Sequence, residues 1–238
     1  LFKKKIIFES YFEGFISSPK PALHYIPESY KKLDRSMGTN KTTDQTVRAC
    51  VPFLDALKFG YVIPFPIDYE VSYQEGNLNF NISEMIEGGP AQGHFAVESH
   101  KQGQVSEGLK HDKRTFDVVC KFLSNWKIIT SPGYSCLFTQ PLNQNAPFKI
   151  IDGVVDTDKF PLHINFPFYW TGDLDKKYFL KHGTPMVQVI PFKRDDWEMK
   201  LKKAPKEDYD NKLKNRIKMG NWIVDAYKNI FWSKKTYK

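Results

Sequence analysis

Between residues 61 and 192 apolar and polar positions alternate over short runs, and most runs end in a cluster of turn-forming residues. Alternation with a period of two puts successive side chains on opposite faces of an extended strand. It predicts strands at 67–73, 78–82, 126–130, 134–139, 148–155, 162–168 and 185–192. Gln74-Glu75-Gly76-Asn77 joins the first two as a hairpin. Ser131-Pro132-Gly133 and Asp156-Thr157-Asp158 mark later turns. Residues 6–8 and 61–63 read as shorter strands, and 50–59 as a short helix with Pro52 in its first turn and Gly60 ending it. Short strands without intervening helices predict a mostly β, β-clip or jelly-roll-like single domain rather than an α/β fold.

The period changes near the C-terminus. Tyr209, Leu213, Ile217, Gly220, Ile223, Val224, Tyr227, Ile230 and Phe231 recur at steps of three or four, one face of an amphipathic α-helix over 209–231. The chain divides on this reading into a β-rich domain with an irregular N-terminal segment, 1–203, and a basic helical arm, 204–238. The apolar stripe of the arm is expected to pack on its own domain or on a second subunit, because left in water it would expose a large apolar patch.

Composition sharpens this picture in one place. Apolar residues make up 41% of the 238 and aromatics 15%, enough for a substantial core and too many for a disordered chain. The net charge of +8 is unevenly spread. Residues 193–238 hold fourteen Lys or Arg and seven Asp or Glu, so +7 belongs to this segment and +1 to the rest. Basic residues there are interleaved with Trp197, Trp222, Tyr227, Trp232 and Tyr237. That pattern suits an acidic partner or a nucleic acid at the arm.

No apolar run reaches the eighteen residues of a membrane span, and Lys3-Lys4-Lys5 precede no apolar run of signal-peptide length. Cys50, Cys120 and Cys136 are odd in number, widely spaced and without metal-ligand spacing. They are expected to be buried free thiols in a reducing compartment, which points to a soluble cytoplasmic protein without membrane contact.

Candidate chemistry is sparse. Asp156 and Asp158 lie in one acidic turn, where a carboxylate held tightly can act as a general base. His94, Glu98 and His100 would share one face of a strand, with His163 or His182 available to complete an iron site. The Glu-x-His order is reversed from the usual His-x-carboxylate pair, so no metal is expected there. Cys136 alternates with Tyr134 and Phe138 and is expected to pack with them. There is no Gly-rich phosphate loop and no Gly-x-Ser-x-Gly elbow. No cofactor is expected.

PGYSCLFT, IDGVVDTD and HGTPMVQVIPF follow one another between Pro132 and Phe192. Their order and spacing resemble the sheet core of the trimeric dUTPase and dCTP-deaminase superfamily, a β-clip fold. The resemblance implies that Asp156 orders a water and reads a deoxyribose, and that Gln188 is the glutamine of the closing strand. It departs at Lys159, where that family has a base-stacking Tyr, and the phosphate-gripping Arg-Ser motif and Gly-rich closing arm are missing. The segments CVPFLDALKFGYVIPFPIDYEV, WKIITSPGYSCLFTQPLN and VVDTDKFPLHINFPF also resemble an uncharacterised family of unknown function found in bacteria and marine phages. That second likeness implies a marine microbial or phage origin and no activity. Together these features predict a non-enzymatic binding or assembly module, able to form a homo-oligomer. The alternative is an enzyme, either nucleotide-acting around Asp156 with Asp158 and Gln188, or mononuclear and metal-dependent around His94, Glu98 and His100.

Overall fold

A computed structural model of the chain describes residues 4–40, 43–82, 91–100, 104, 118–222 and 225–238. The chain opens with β1 (Ile6–Glu9), β2 (Lys20–Pro21), α1 (Glu28–Lys32), α2 (Val51–Lys58) and β3 (Tyr61–Pro64). A hairpin of β4 (Tyr69–Gln74) and β5 (Asn77–Ile82) follows, then β6 (Val97–Ser99), β7 (Cys120–Phe122), β8 (Lys127–Thr130) and β9 (Tyr134–Thr139). The rest comprises β10 (Phe148–Ile150), β11 (Gly153–Val155), β12 (Phe166–Trp170), β13 (Tyr178–Leu180), β14 (Pro185–Lys193) and α3 (Lys206–Trp222). The fold is mostly β with a C-terminal helix.

The strands form antiparallel sheets in the orders β11-β9-β14-β3-β2, β10-β12-β7-β6, β13-β4-β5 and β1-β8. None of these closes into a barrel among the described residues. The sheets meet through aromatic side chains. Within the four-stranded sheet Phe122 stacks on Phe168 with ring centroids 4.0 Å apart and meets Phe148 edge-on at 5.4 Å, and Phe65, just after β3 of the five-stranded sheet, meets Phe122 edge-on at 5.2 Å. Phe80 on the hairpin packs edge-on against Phe168 and Trp170. Offset and edge-to-face pairs of this kind add to the burial of large side chains.

The longer alternating runs form the predicted strands to within a few residues. The hairpin turns on Glu75 and Gly76, both at positive φ (50° and 81°), the two-residue geometry whose twist matches the flanking strands. The strand predicted at 148–155 is in fact two. β10 pairs with β12 in one sheet and β11 with β9 in another, and the chain changes sheets at Ile151-Asp152. The strand predicted at 162–168 begins later, at Phe166, because Leu162 and His163 lie on the exposed approach to it. The strands β2, β6, β7 and β13 have two or three residues each, too short for alternation to show. The Gly-rich stretch 87–93 and the polar stretch 101–113, which read as loops, fall largely outside the described residues.

The predicted helical arm needs correction. Among the described residues α3 spans Lys206–Trp222, and a separate helical turn spans Tyr227–Phe231. Asp225 between them has φ 57°, a left-handed conformation that no α-helix continues through. Leu213, Ile217, Tyr227 and Ile230 are about half exposed, so the stripe does not pack on the chain's own β domain, and Ile223 and Val224 lie outside the described residues. The arm is held instead by its last residues. Trp232 Nε1 and Lys235 Nζ donate to Asp55 of α2 at 2.7 and 2.8 Å, and Tyr237 packs edge-on against Phe59 and Tyr61.

β14 runs between β3 and β9 at the middle of the largest sheet, and Gln188 on it is fully buried. Its Nε2 donates to the carbonyls of Phe59 (2.6 Å) and Ala56 (3.2 Å) at the end of α2, the latter also accepting the Phe59 N–H. Its Oε1 accepts from the backbone N–H of Leu142 at 2.7 Å. Gly60 makes the approach possible. It has φ 73°, and a Cβ there would stand 2.2 Å from the Val189 carbonyl.

Gln188→Leu removes the amide and leaves the Phe59 carbonyl and the Leu142 N–H without this partner, while the Ala56 carbonyl keeps the Phe59 N–H. Each unmade buried hydrogen bond costs about 1–3 kcal/mol, so the variant is predicted to lose about 2–4 kcal/mol of unfolding free energy in urea titrations. A loss below about 0.5 kcal/mol, the range of a neutral surface substitution, would contradict the assignment.

Candidate functional site

The acidic turn is built into the scaffold. Asp158 accepts two hydrogen bonds from the Arg194 guanidinium and one from the Gly133 N–H at 2.8 Å, and its side chain is only 5% exposed. The same guanidinium donates to the Tyr134 carbonyl and to Ser135 Oγ, and the Arg194 N–H donates to the Gly133 carbonyl. Arg194 thus locks the Pro132-Gly133 turn, the acidic turn and the end of β14 together. Its hydrogen bonds, helped by the Gly133 N–H, hold the Asp158 carboxyl down at about 2. Asp156 is more exposed, accepts from Ser135 Oγ at 2.6 Å and lies 3.3 Å from Arg194. Thr157 between them is buried and bonded to Thr130.

Asp156 and Asp158 are therefore neighbours, but Gln188 is not among them. It lies six residues back along β14, enclosed and fully hydrogen-bonded by backbone. The contacts it makes here are structural. Arg194 escaped the sequence reading, although two carboxylates in one tight turn call for a cation nearby.

The three candidate metal ligands do not share a strand face. His94 sits in a 3₁₀ turn, Gln92–Phe95, with its ring against Phe12. Glu98 lies on β6 and pairs across the strands with Lys121 at 2.8 Å. His100 follows β6, and its N–H donates to the Val119 carbonyl. His163 is exposed on a loop and His182 hydrogen-bonds Ser17. Among the described residues no three His, Cys, Asp or Glu side chains come together as a metal site. Cys120 and Cys136 are buried, and burial pushes both thiols up to about 11, away from nucleophilic use. Cys50 is exposed, contrary to the expectation of three buried thiols, because it stands just before α2 where the arm only partly covers the surface.

That partial cover forms a groove of about 860 Å³ between residues 45–52 and the arm. Val47, Val51, Pro52, Ala226 and Tyr227 give it an apolar floor, and Lys212, Arg216 and Lys228 line it with cations. A smaller cavity of about 130 Å³ adjoins it, lined by Arg35, Arg48, Lys58, Lys228 and Trp232. One carboxylate, Asp225, lines the groove with these six cations, Asp55 stands nearby on α2, and both are engaged. Asp225, at the left-handed break in the arm, pairs with Arg35 at 2.6 Å. Asp55 is shared by Lys235, Trp232 and Lys58. Burial pushes the Asp55 carboxyl up, but these hydrogen bonds and charges outweigh it and hold the group below its ordinary value. Arg48 lies over the Tyr30 ring at 5.1 Å. Lys212, Arg216 and Lys228 have no ion-pair partner among the described residues.

No family model matches the chain, and no curated protein matches it. No helix among the described residues is long and apolar enough to cross a membrane.

The Asp158 clamp predicts a pH dependence. An unfolded Asp titrates near 3.9 and the folded one near 2, so the folded state binds fewer protons between these values. Its contribution is present above the unfolded value and is lost as pH falls through about 2. Asp158→Asn should be less stable at neutral pH, and the wild-type advantage should shrink as pH is lowered from about 5 to about 2 in thermal melts. An advantage that stays constant over that range would contradict the clamp.

Proposed function

We propose that this protein is a non-enzymatic binding module that takes an acidic, amphipathic polypeptide segment in the groove between residues 45–52 and the C-terminal arm. The observation that carries this reading is the mismatch of charge in the groove and the adjoining cavity, six lining cations against one lining carboxylate, Asp225, which is already paired. Lys212, Arg216 and Lys228 remain to meet an anionic ligand. The apolar floor selects among such ligands. A bare phosphate backbone gains little from Val47, Val51 and Pro52, whereas a peptide with apolar residues between carboxylates buries them there.

The enzymatic alternatives have less support. Asp158 and Gln188 are committed to backbone and to Arg194, and His94, Glu98 and His100 point to separate partners. The likeness of residues 132–192 to the dUTPase and dCTP-deaminase core is read as one of β-clip-like sheet architecture, and fold does not carry activity with it. Membership of the uncharacterised bacterial and phage family, and a cytoplasmic location, belong to the same proposal.

Fluorescence anisotropy with a labelled peptide of alternating Glu and Leu or Phe tests the groove, with a single-stranded oligonucleotide of equal charge as competitor. The peptide is predicted to bind, to weaken with salt, and to lose about tenfold or more in affinity, ~1.4 kcal/mol, in Lys212→Glu/Arg216→Glu/Lys228→Glu. Tighter binding of the oligonucleotide, or unchanged peptide affinity in the triple variant, would overturn the peptide reading. Turnover of dUTP or dCTP that disappears in Asp156→Asn would overturn the non-enzymatic one.

A further inference from the structure

Residues 194–205, between β14 and α3, carry no helix, strand or turn. Within them Trp197, Met199 and Leu201 are 92%, 84% and 90% exposed. Isolated exposed apolar residues are ordinary, but three large ones at alternate positions put one continuous apolar edge in water when the chain is extended. Trp197 alone offers roughly 200 Å² of surface.

We infer that two copies of this chain associate through residues 195–203, paired as antiparallel strands about a two-fold axis at Met199. The stretch reads Asp195, Asp196, Trp197, Glu198, Met199, Lys200, Leu201, Lys202, Lys203. Its acidic half precedes Met199 and its basic half follows. Antiparallel pairing about Met199 sets Asp195 opposite Lys203, Asp196 opposite Lys202 and Glu198 opposite Lys200, each twice. Trp197 then faces Leu201 on the same side of the ribbon as the two Met199 side chains. Every cross-strand pair is thus either opposite in charge or apolar, the combinations that stabilise paired strands.

The neighbouring registers are disfavoured by the same residues. Slipping the pairing by two in one direction sets Lys200 against Lys200, and in the other Glu198 against Glu198. Parallel pairing would set every charge against its like. A sequence that is complementary to itself in one register is what a two-fold interface requires, because the same patch must serve on both sides. The single chain already pairs Lys193 with Asp195 and Glu198 with Lys200, the latter at 3.0 Å. Glu198 and Lys200 are both 76% exposed, so their bridge adds little to a single copy. In the dimer the charges set register and the apolar trio supplies affinity.

Two arms together would remove an area on the order of 1,000 Å², near the lower bound for a specific interface. The half-exposed Leu213 and Ile217 of α3 follow directly on the arm and can extend it. Arg194, clamped to Asp158, gives the arm a fixed base. This inference does not depend on the groove.

Sedimentation velocity over a concentration series tests it. The wild-type chain is expected to show a monomer–dimer equilibrium. Lys200→Glu/Lys202→Glu makes the outer face of the arm wholly acidic, and Asp196→Lys/Glu198→Lys makes it wholly basic. Each variant alone is expected to weaken the dimer at least about tenfold, ~1.4 kcal/mol. An equimolar mixture of the two should restore it as a heterodimer, and all four substitutions in one chain should restore the homodimer. Misfolding would not be rescued by mixing. In a Cys50→Ser background, Met199→Cys should cross-link to itself on mild oxidation, since facing Cα atoms in paired strands lie within disulfide reach. A wild-type chain that stays monomeric at every concentration would overturn the inference. So would a dimer that survives both charge reversals and Trp197→Ser/Leu201→Ser, which would place the interface elsewhere.

Discussion

The side-chain amide of Gln188 is the contact on which the arrangement of the β domain depends. It sits on the central strand of the largest sheet with no access to water, so each of its polar atoms has to find a protein partner. The partners it finds are backbone groups of two other segments, the end of α2 at Ala56 and Phe59 and the loop after β9 at Leu142. One side chain thereby sets the distance of the helix from the sheet and the path of the chain beyond β9. Gly60 answers the same constraint, since the turn out of α2 passes too close to β14 for any side chain. At the far end of β14, Arg194 binds two turns in the same manner. The strand is bracketed by polar contacts that cannot be exchanged for water.

This arrangement gives two of the residues in the nucleotide-site resemblance a structural role. Asp158 and Gln188 are used to close the sheet at two points along one strand. The β domain leaves its outer surface beside α2 open, and there the arm is tied down through the Arg35–Asp225 pair and, at its tip, through Asp55, Trp232 and Tyr237. An element anchored at its far end and broken at Asp225 cannot lie flat against the domain. The groove and its unpaired cations follow from that geometry.

Much of the fold was legible because its signals are local. β9, β14 and the hairpin of β4 and β5 are six to nine residues long and bounded by Gly or Pro turns, so alternation alone predicts them. Cys120–Phe122 and Tyr178–Leu180 are not legible in that way, because three residues cannot show a period. The break at Ile151-Asp152 was hidden for a different reason. Both halves are apolar and extended, and only their partners differ. The helical period of the arm was read correctly for α3 but carried through Asp225, whose left-handed backbone and ion pair with Arg35, 190 positions away, leave no mark on the local period. The groove could not be foreseen from spacing, since Val47 and Lys228 meet only in the folded chain, although the concentration of positive charge after residue 193 pointed to the arm. The alternation of Trp197, Met199 and Leu201 was also present in the sequence, but it resembles a core strand until exposure shows otherwise.

Hydrogen exchange of the Gln188 side-chain amide, followed by ¹⁵N NMR together with the Leu142 backbone amide, tests this account most directly. Enclosed and bonded to Ala56 and Phe59, the Nε2 protons are predicted to exchange only through global unfolding, with the same protection as the amides of β14 and the same response to denaturant. Exchange of Nε2 at the rate of a solvent-exposed glutamine, while β14 stays protected, would contradict it and return Gln188 to the list of residues available for a ligand.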